Sequence, residues 1–251
     1  MILLKSEQDL EIMRRAGKIL AQIVRQLKDK VKAGITTGEI DNLAAHLASQ
    51  AKVVPAFKGY KGFPAYTCIS INEEVVHGIP GARVIKEGDL VSIDFGIEHC
   101  GFFSDAAVTV PVGKVDAGAK KLIEVTRQSL VEGIKQAKEL NHLGDISHAV
   151  QSYVERYGFS VVRQFVGHGI GRNLHEEPEI PNFGRPDQGP VLKSGMVFAI
   201  EPMVNMGTWE CEIEDNGWTA VTKDGRVSAH FEHTVAVTGK GPEILTNLSL
   251  S

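Results

Sequence analysis

The chain has 251 residues, 43% of them hydrophobic and 23% charged, with a formal net charge of -4. That length and apolar content suffice for a full buried core and exclude a disordered chain, and the near-neutral balance predicts no dedicated nucleic-acid surface. Cys68, Cys100 and Cys211 stand far apart with no C-x-x-C pair, which argues against a disulfide framework and a thiolate zinc site and fits a reducing cytoplasm.

The opening run Ile2-Leu3-Leu4 is too short for a signal peptide, and no stretch is long and apolar enough to span a bilayer, so no membrane association is expected. From Ser6 to about Val31, Leu10, Met13, Leu20, Val24 and Leu27 recur at helical spacing, with Ser6 as N-cap. After a turn at Ala33-Gly34, Thr36-x-x-Glu39 has the form of a capping box and opens a second helix. Short β-branched runs at 66–71, 74–77, 90–97 and 106–112, separated by Gly and Pro, predict antiparallel strands. The order then repeats: a helix from Asp116 to about Leu140, another from Asp145 to Tyr157, a strand-like run from Val161 to Val166, and further strands to the end.

The residues repeat as well. Gly38-Glu39-Ile40 is echoed by Gly144-Asp145-Ile146, and Val84-Ile85-Lys86-x-Gly88 through Asp94 aligns without a gap to Val191-Leu192-Lys193-x-Gly195 through Glu201. Asp105 parallels Glu232, and His77-Gly78-Ile79 parallels His168-Gly169-Ile170. Shared turn chemistry explains a repeated Lys-x-Gly, but it does not explain acids at the far ends of matched strands. The expectation is an α+β fold: one domain over 1–251, with halves of roughly 1–113 and 114–251 whose helices cover one face of curved antiparallel sheets.

Asp94 follows Val91-x-Ile93 and Glu201 follows Phe198-Ala199-Ile200, positions where a carboxylate is costly to desolvate without a cationic partner. No lysine or arginine at a strand position between Val84 and Ala107 neutralises both Asp94 and Asp105. Divalent cations would: four carboxylates balance two such ions, and four oxygen ligands with one imidazole suit Mn, Fe, Co or Zn alike. Among the other histidines, His46, His99, His142, His148 and His230 read as surface residues, and His233 beside Glu232 is left open. The glycines around His77 and His168 suggest open backbone that a ligand can approach. His175 carries little signal by itself.

Three motifs carry a resemblance over essentially the whole length: Asn72-Glu73-Glu74-Val75-Val76-His77-Gly78-Ile79-Pro80, Gly167-His168-Gly169-Ile170-Gly171 with Leu174-His175-Glu176-Glu177-Pro178, and Ala199-Ile200-Glu201-Pro202-Met203. In them the sequence resembles type I methionine aminopeptidases of the pita-bread fold. The resemblance implies two divalent metal ions held by Asp94, Asp105, His168, Glu201 and Glu232, with Asp105 and Glu232 shared between them. It implies substrate contacts from His77 and His175, proton transfer by Glu201, and a methionine pocket walled by Tyr60, Phe63, Cys68 and Trp218. It further implies a cytoplasmic monomer acting on the N-termini of peptides and nascent chains, at the ribosome as a place of encounter. Leu174, Phe57 and Phe103-Ser104 depart from the usual pattern and bear on the pocket's shape. Prolidases, aminopeptidases P and the longer type II methionine aminopeptidases are the rivals within this fold; the chain's length speaks against the first two, and the lack of a large insertion from His175 to Glu201 and on to Glu232 speaks against the third. Outside it, a metal-free binding protein would be marked by lost ligands, and a metal-storage protein would leave His77 and His175 without a role.

Overall fold

Local capping decides where the helices begin in the computed structural model, which describes residues 2–247. α1 (Glu7–Lys30) starts at Ser6, whose hydroxyl accepts from the Asp9 N–H while the Asp9 carboxylate accepts from the Ser6 N–H. α2 (Thr37–Ala51) has the same box between Thr36 and Glu39. α3 (Ala117–Gln136) is capped by Asp116, and α4 (Leu143–Arg156) begins two residues before Asp145, which is its third residue and caps back onto His142. α3 stops short of the expected Leu140 because the chain must turn there. Leu140 takes φ 71° and donates its N–H to Leu192, repeating the turn at Gly34, where φ is 91° and the N–H donates to Ile85.

The strands form four antiparallel sheets among the described residues. In the first half β1 (Val54–Pro55), β2 (Cys68–Ile71) and β3 (Glu74–Val76) precede a long hairpin, β4 (Leu90–His99) and β5 (Phe102–Pro111). β4 carries β5 along one edge and β2 and β1 end to end along the other. After β6 (Ser160–Val161), β7 (Gly167–Gly169), β8 (Glu176–Ile180) and β9 (Val197–Ile200) join β14 (His233–Thr238) and β15 (Gly241–Ile244) in the order β15-β14-β9-β7-β8. β10 (Met203–Asn205) pairs with β6 and β13 (Ser228–His230), and β11 (Cys211–Ile213) pairs with β12 (Ala220–Thr222), which reaches back to β3 of the first half. The strand expected over 161–166 is only the two residues of β6, and the end of the expected strand region, residues 248–251, lies outside the described residues.

Alternation along the hairpin separates core from cleft. Val91, Ile93, Phe95 and Ile97 point into a core cluster that holds residues of all four helices together with Phe198, Ile200, Val235 and Val237 of the second sheet. Ser92, Asp94 and Gly96 face the other way, and so do Asp105, Ala107 and Thr109.

The halves are built alike. Thr36 bridges to Val84 and His142 to Val191, and Gly38 and Gly144 donate to Gly81 and Gln188. A Cβ at either glycine would meet a carbonyl oxygen, at 2.9 Å from Gly81 or 2.3 Å from Arg185. Two threonines clasp the halves across their seam. Thr234 bonds both the N–H and the C=O of Asp105, and Thr109 bonds both the N–H and the C=O of His230, at 2.8–2.9 Å.

Candidate metal centre

Strand register brings the acids together. Asp94 lies opposite Ala107 and Asp105 opposite Gly96, so the two acids are diagonal neighbours on the cleft face of one hairpin. Gly96 leaves room for them: a Cβ there would stand 3.2 Å from Asp105 Oδ1 and 2.8 Å from the Phe57 ring. In the second half His168 pairs with Ala199, and Thr234 pairs with Ala199 from the other side. Glu201 and Glu232 therefore follow β9 and precede β14 beside the same spot, with the Glu232 N–H donating to Ala107 across the seam at 3.0 Å. All five residues line one cleft with about 290 Å³ of interior space. Ligand atoms of Asp105, His168 and Glu232 lie within 4.8 Å of one another, and His168 Nε2 is 3.6 Å from Glu201 Oε1.

The electrostatics of the cleft favour cations. Burial lifts Asp105 to about 7, and it lifts Asp94, Glu201 and Glu232 well above the carboxylate range, with Asp105 adding repulsion to all three. None of the four acids pairs with a lysine or arginine among the described residues. Asp94 Oδ1 and Glu232 Oε1 are buried with no hydrogen-bond partner, a costly arrangement that bound divalent ions would relieve. Burial pushes His168 down to about 4, which keeps it neutral. Its Nδ1 faces the Gly169 carbonyl at 2.9 Å and must donate to it, which leaves the Nε2 lone pair free as a ligand. The donor set and the two orphaned oxygens thus fit divalent metal.

His77 and His175 flank the acids. His77, at φ 60° after β3, stands edge-on to Phe165 with ring centroids 5.5 Å apart. His175 lies at the open mouth, stacked on Tyr60, 4.1 Å from the His168 ring centroid, with Nδ1 3.0 Å from the Tyr60 hydroxyl. Tyr60, Phe63, Cys68 and Trp218 all line the cleft, and Phe63 meets Trp218 edge-on at 5.2 Å. All three cysteines are free thiols.

Two readings of the sequence need correction. His230 is buried, at 2% exposure, and lies 3.4 Å from Glu201 Oε2; a strand of the small residues Ser228 and Ala229 carries it inward, and its polar neighbours in sequence hide this. The glycines beside His77 and His168 admit neighbouring backbone where a ligand was expected. A Cβ on Gly78 would meet Ile69 O at 2.2 Å, on Gly167 Ala199 O at 2.4 Å, and on Gly169 Glu177 O at 2.1 Å. His233, left open by the sequence, directs Nδ1 to the Thr246 hydroxyl at 3.0 Å. Phe165, Met203 and Val76 also line the cleft, and plain apolar residues gave no signal of it.

This fold and cleft define a metal-dependent peptidase. The model of Metallopeptidase family M24 matches residues 11–239, and the chain belongs to that family, whose membership implies use of divalent metal. Its relatives are methionine aminopeptidases: that of Clostridium perfringens is 55% identical over 246 residues, 98% of this chain and 99% of that protein. The structure of methionine aminopeptidase from Thermotoga maritima superposes with a TM-score of 0.97 at 48% identity, covering 98% of this chain and 100% of that one. The prolidase of Pyrococcus horikoshii shares the pita-bread fold alone, with a TM-score of 0.78 at 22% identity over 64% of its own chain.

Proposed function

We propose that this chain is a methionine aminopeptidase, which hydrolyses the first peptide bond of peptides and nascent chains, releases the initiator methionine and prefers a small second residue. The observation that carries this reading is the convergence of Asp94, Asp105, His168, Glu201 and Glu232 from both halves on one cleft without a compensating lysine or arginine among the described residues. Two divalent ions (Mn, Fe, Co or Zn) balance the four acids. Asp94 would hold one, His168 and Glu201 the other, and Asp105 and Glu232 both. When bound, the ions supply Lewis-acid polarisation of the scissile carbonyl and an activated water.

The rest falls to the chain's own side chains. With the Tyr60 hydroxyl donating to Nδ1 of His175, Nε2 keeps its hydrogen and donates to the carbonyl oxygen as charge builds on it. His77 contacts the scissile nitrogen, and Glu201 takes a proton from the attacking water and returns it to the leaving amine. Tyr60, Phe63, Cys68 and Trp218 receive the methionine side chain, whose sulfur packs well against aromatic edges. Residues 1–251 act as one catalytic domain with halves at roughly 1–113 and 114–251, as a monomer in the cytoplasm that meets nascent chains at the ribosome.

Methionine release from Met-Gly, Met-Ala and Met-Lys peptides, beside an Xaa-Pro substrate of the prolidase kind, tests the reading. Release from the first two and little from the others is expected. No methionine release with any added divalent metal would end it.

A further inference from the structure

The carboxylate of Glu201 lies between two imidazoles, one to each oxygen. Oε1 is 3.6 Å from Nε2 of His168, and Oε2 is 3.4 Å from Nε2 of His230. The rings have opposite duties. His168 donates Nδ1–H to the Gly169 carbonyl, so the nitrogen it turns to Glu201 carries a lone pair. His230 faces an oxygen that only accepts when ionised, and a lone pair there would be repelled, so the nitrogen it turns to Glu201 carries hydrogen.

The His230 backbone is anchored on both sides. Thr109 bonds its N–H and its C=O, both at 2.8 Å, and the Ser92 hydroxyl backs Thr109 at 2.8 Å. β13 pairs it with Met203 of β10. The ring is buried, and its Nε2 is fully enclosed with no hydrogen-bond partner of its own. An enclosed donor left unpaired is expensive, and Glu201 Oε2, 3.4 Å away, is an acceptor within reach of a small ring or carboxylate rotation. The Glu201 backbone is fixed in turn by Asn182, whose amide donates to its carbonyl at 3.0 Å.

We propose that His230 is a positioning residue of the metal centre: its Nε2–H tethers Glu201 Oε2 and leaves Oε1 turned toward Nε2 of His168, the two atoms that would hold an ion together. This rests on the metal-centre reading above. Ordering a ligand in advance removes a cost that ion binding would otherwise carry, and loss of such an outer partner typically weakens metal binding about 10–100-fold. The tether would act on an ion through Glu201, since His230 is not among the residues that line the cleft.

Replacing His230 by leucine keeps about the same volume without a donor, and His230→Gln keeps an amide donor. Each full-length protein is stripped of metal and titrated with Mn2+ and with Zn2+ by calorimetry, with thermal unfolding of the stripped form as the control for folding. His230→Leu is expected to unfold like the parent but to bind the ion about 10–100-fold more weakly, with His230→Gln restoring most of the loss. Parental affinity in a folded His230→Leu protein overturns the proposal, and so does a folded His230→Gln protein as weak as the leucine variant. Nitrogen-15 histidine NMR of the parent keeps the question open to test if the variants do not fold: a protonated His230 Nε2 that shifts on adding Zn2+ supports the tether, and an unprotonated one refutes it. A parent chain that binds neither ion overturns the metal-centre reading and this with it, whereas a binding parent with an unaltered leucine variant overturns only the tether.

Discussion

The Tyr60 hydroxyl, 3.0 Å from Nδ1 of His175, governs which nitrogen of that ring is left to donate into the cleft. If His175 steadies the developing oxyanion, His175→Ala lowers kcat on a Met-Ala peptide by about 10²–10³ and leaves KM nearly unchanged, which steady-state kinetics will read. A rise in KM at constant kcat would instead make it a binding residue. The acids at 94, 105, 201 and 232 were legible because unpaired carboxylates at the ends of apolar strands demand an explanation, and pairing them across a repeat supplied one. His175 became legible only through the family motif, since a loop histidine before two glutamates looks like surface. Nothing in the sequence marked His230, whose burial depends on how β13 packs against β10, or Gly96, whose missing side chain matters only once Phe57 and Asp105 stand over it.

At the scale of elements, what is local was readable and what is tertiary was not. Ser6, Thr36 and Asp116 cap helices where their side chains lie within reach of the third residue on, a relation visible in sequence. The end of α3 was not readable, because Lys138-Glu139-Leu140 are good helix formers and only the pairing of Leu140 and Asn141 with Leu192 pulls them out of the helix. The run 161–166 failed as a strand for a similar reason. Arg163 stacks over Phe183 and Trp209 while Phe165 turns into the cleft.

Capping also carries a pH signature. Hydrogen bonds from the backbone and side chain of Thr36 hold Glu39 below its ordinary value of 4.5, so its contribution to stability is present above that value and is lost as pH falls through the lower folded value. Glu39→Gln should therefore lower the unfolding midpoint at neutral pH, and the difference from the parent should shrink in acid. Urea unfolding of both proteins across that range checks this, and a difference that does not change with pH would refute it.

At the scale of the whole molecule, the fold brings together groups that neither half could hold alone. The first half presents two acids on one hairpin, the second presents an imidazole on another sheet and two acids at the ends of its strands, and the clasps of Thr234 on Asp105 and Thr109 on His230 lock the two sets in register. Without cations these acids repel one another, so under the proposed function the energetics of the centre and its chemistry would depend on the same ions. The most direct test strips the chain of metal and titrates divalent ions back while bound metal and methionine release from a Met-Ala peptide are followed together, in the parent and in Glu232→Gln. No release is expected from the stripped chain, with activity that returns as ions bind and levels off by two per chain, and with a Glu232→Gln protein that binds metal poorly and stays slow. Undiminished methionine release from the stripped chain would contradict it.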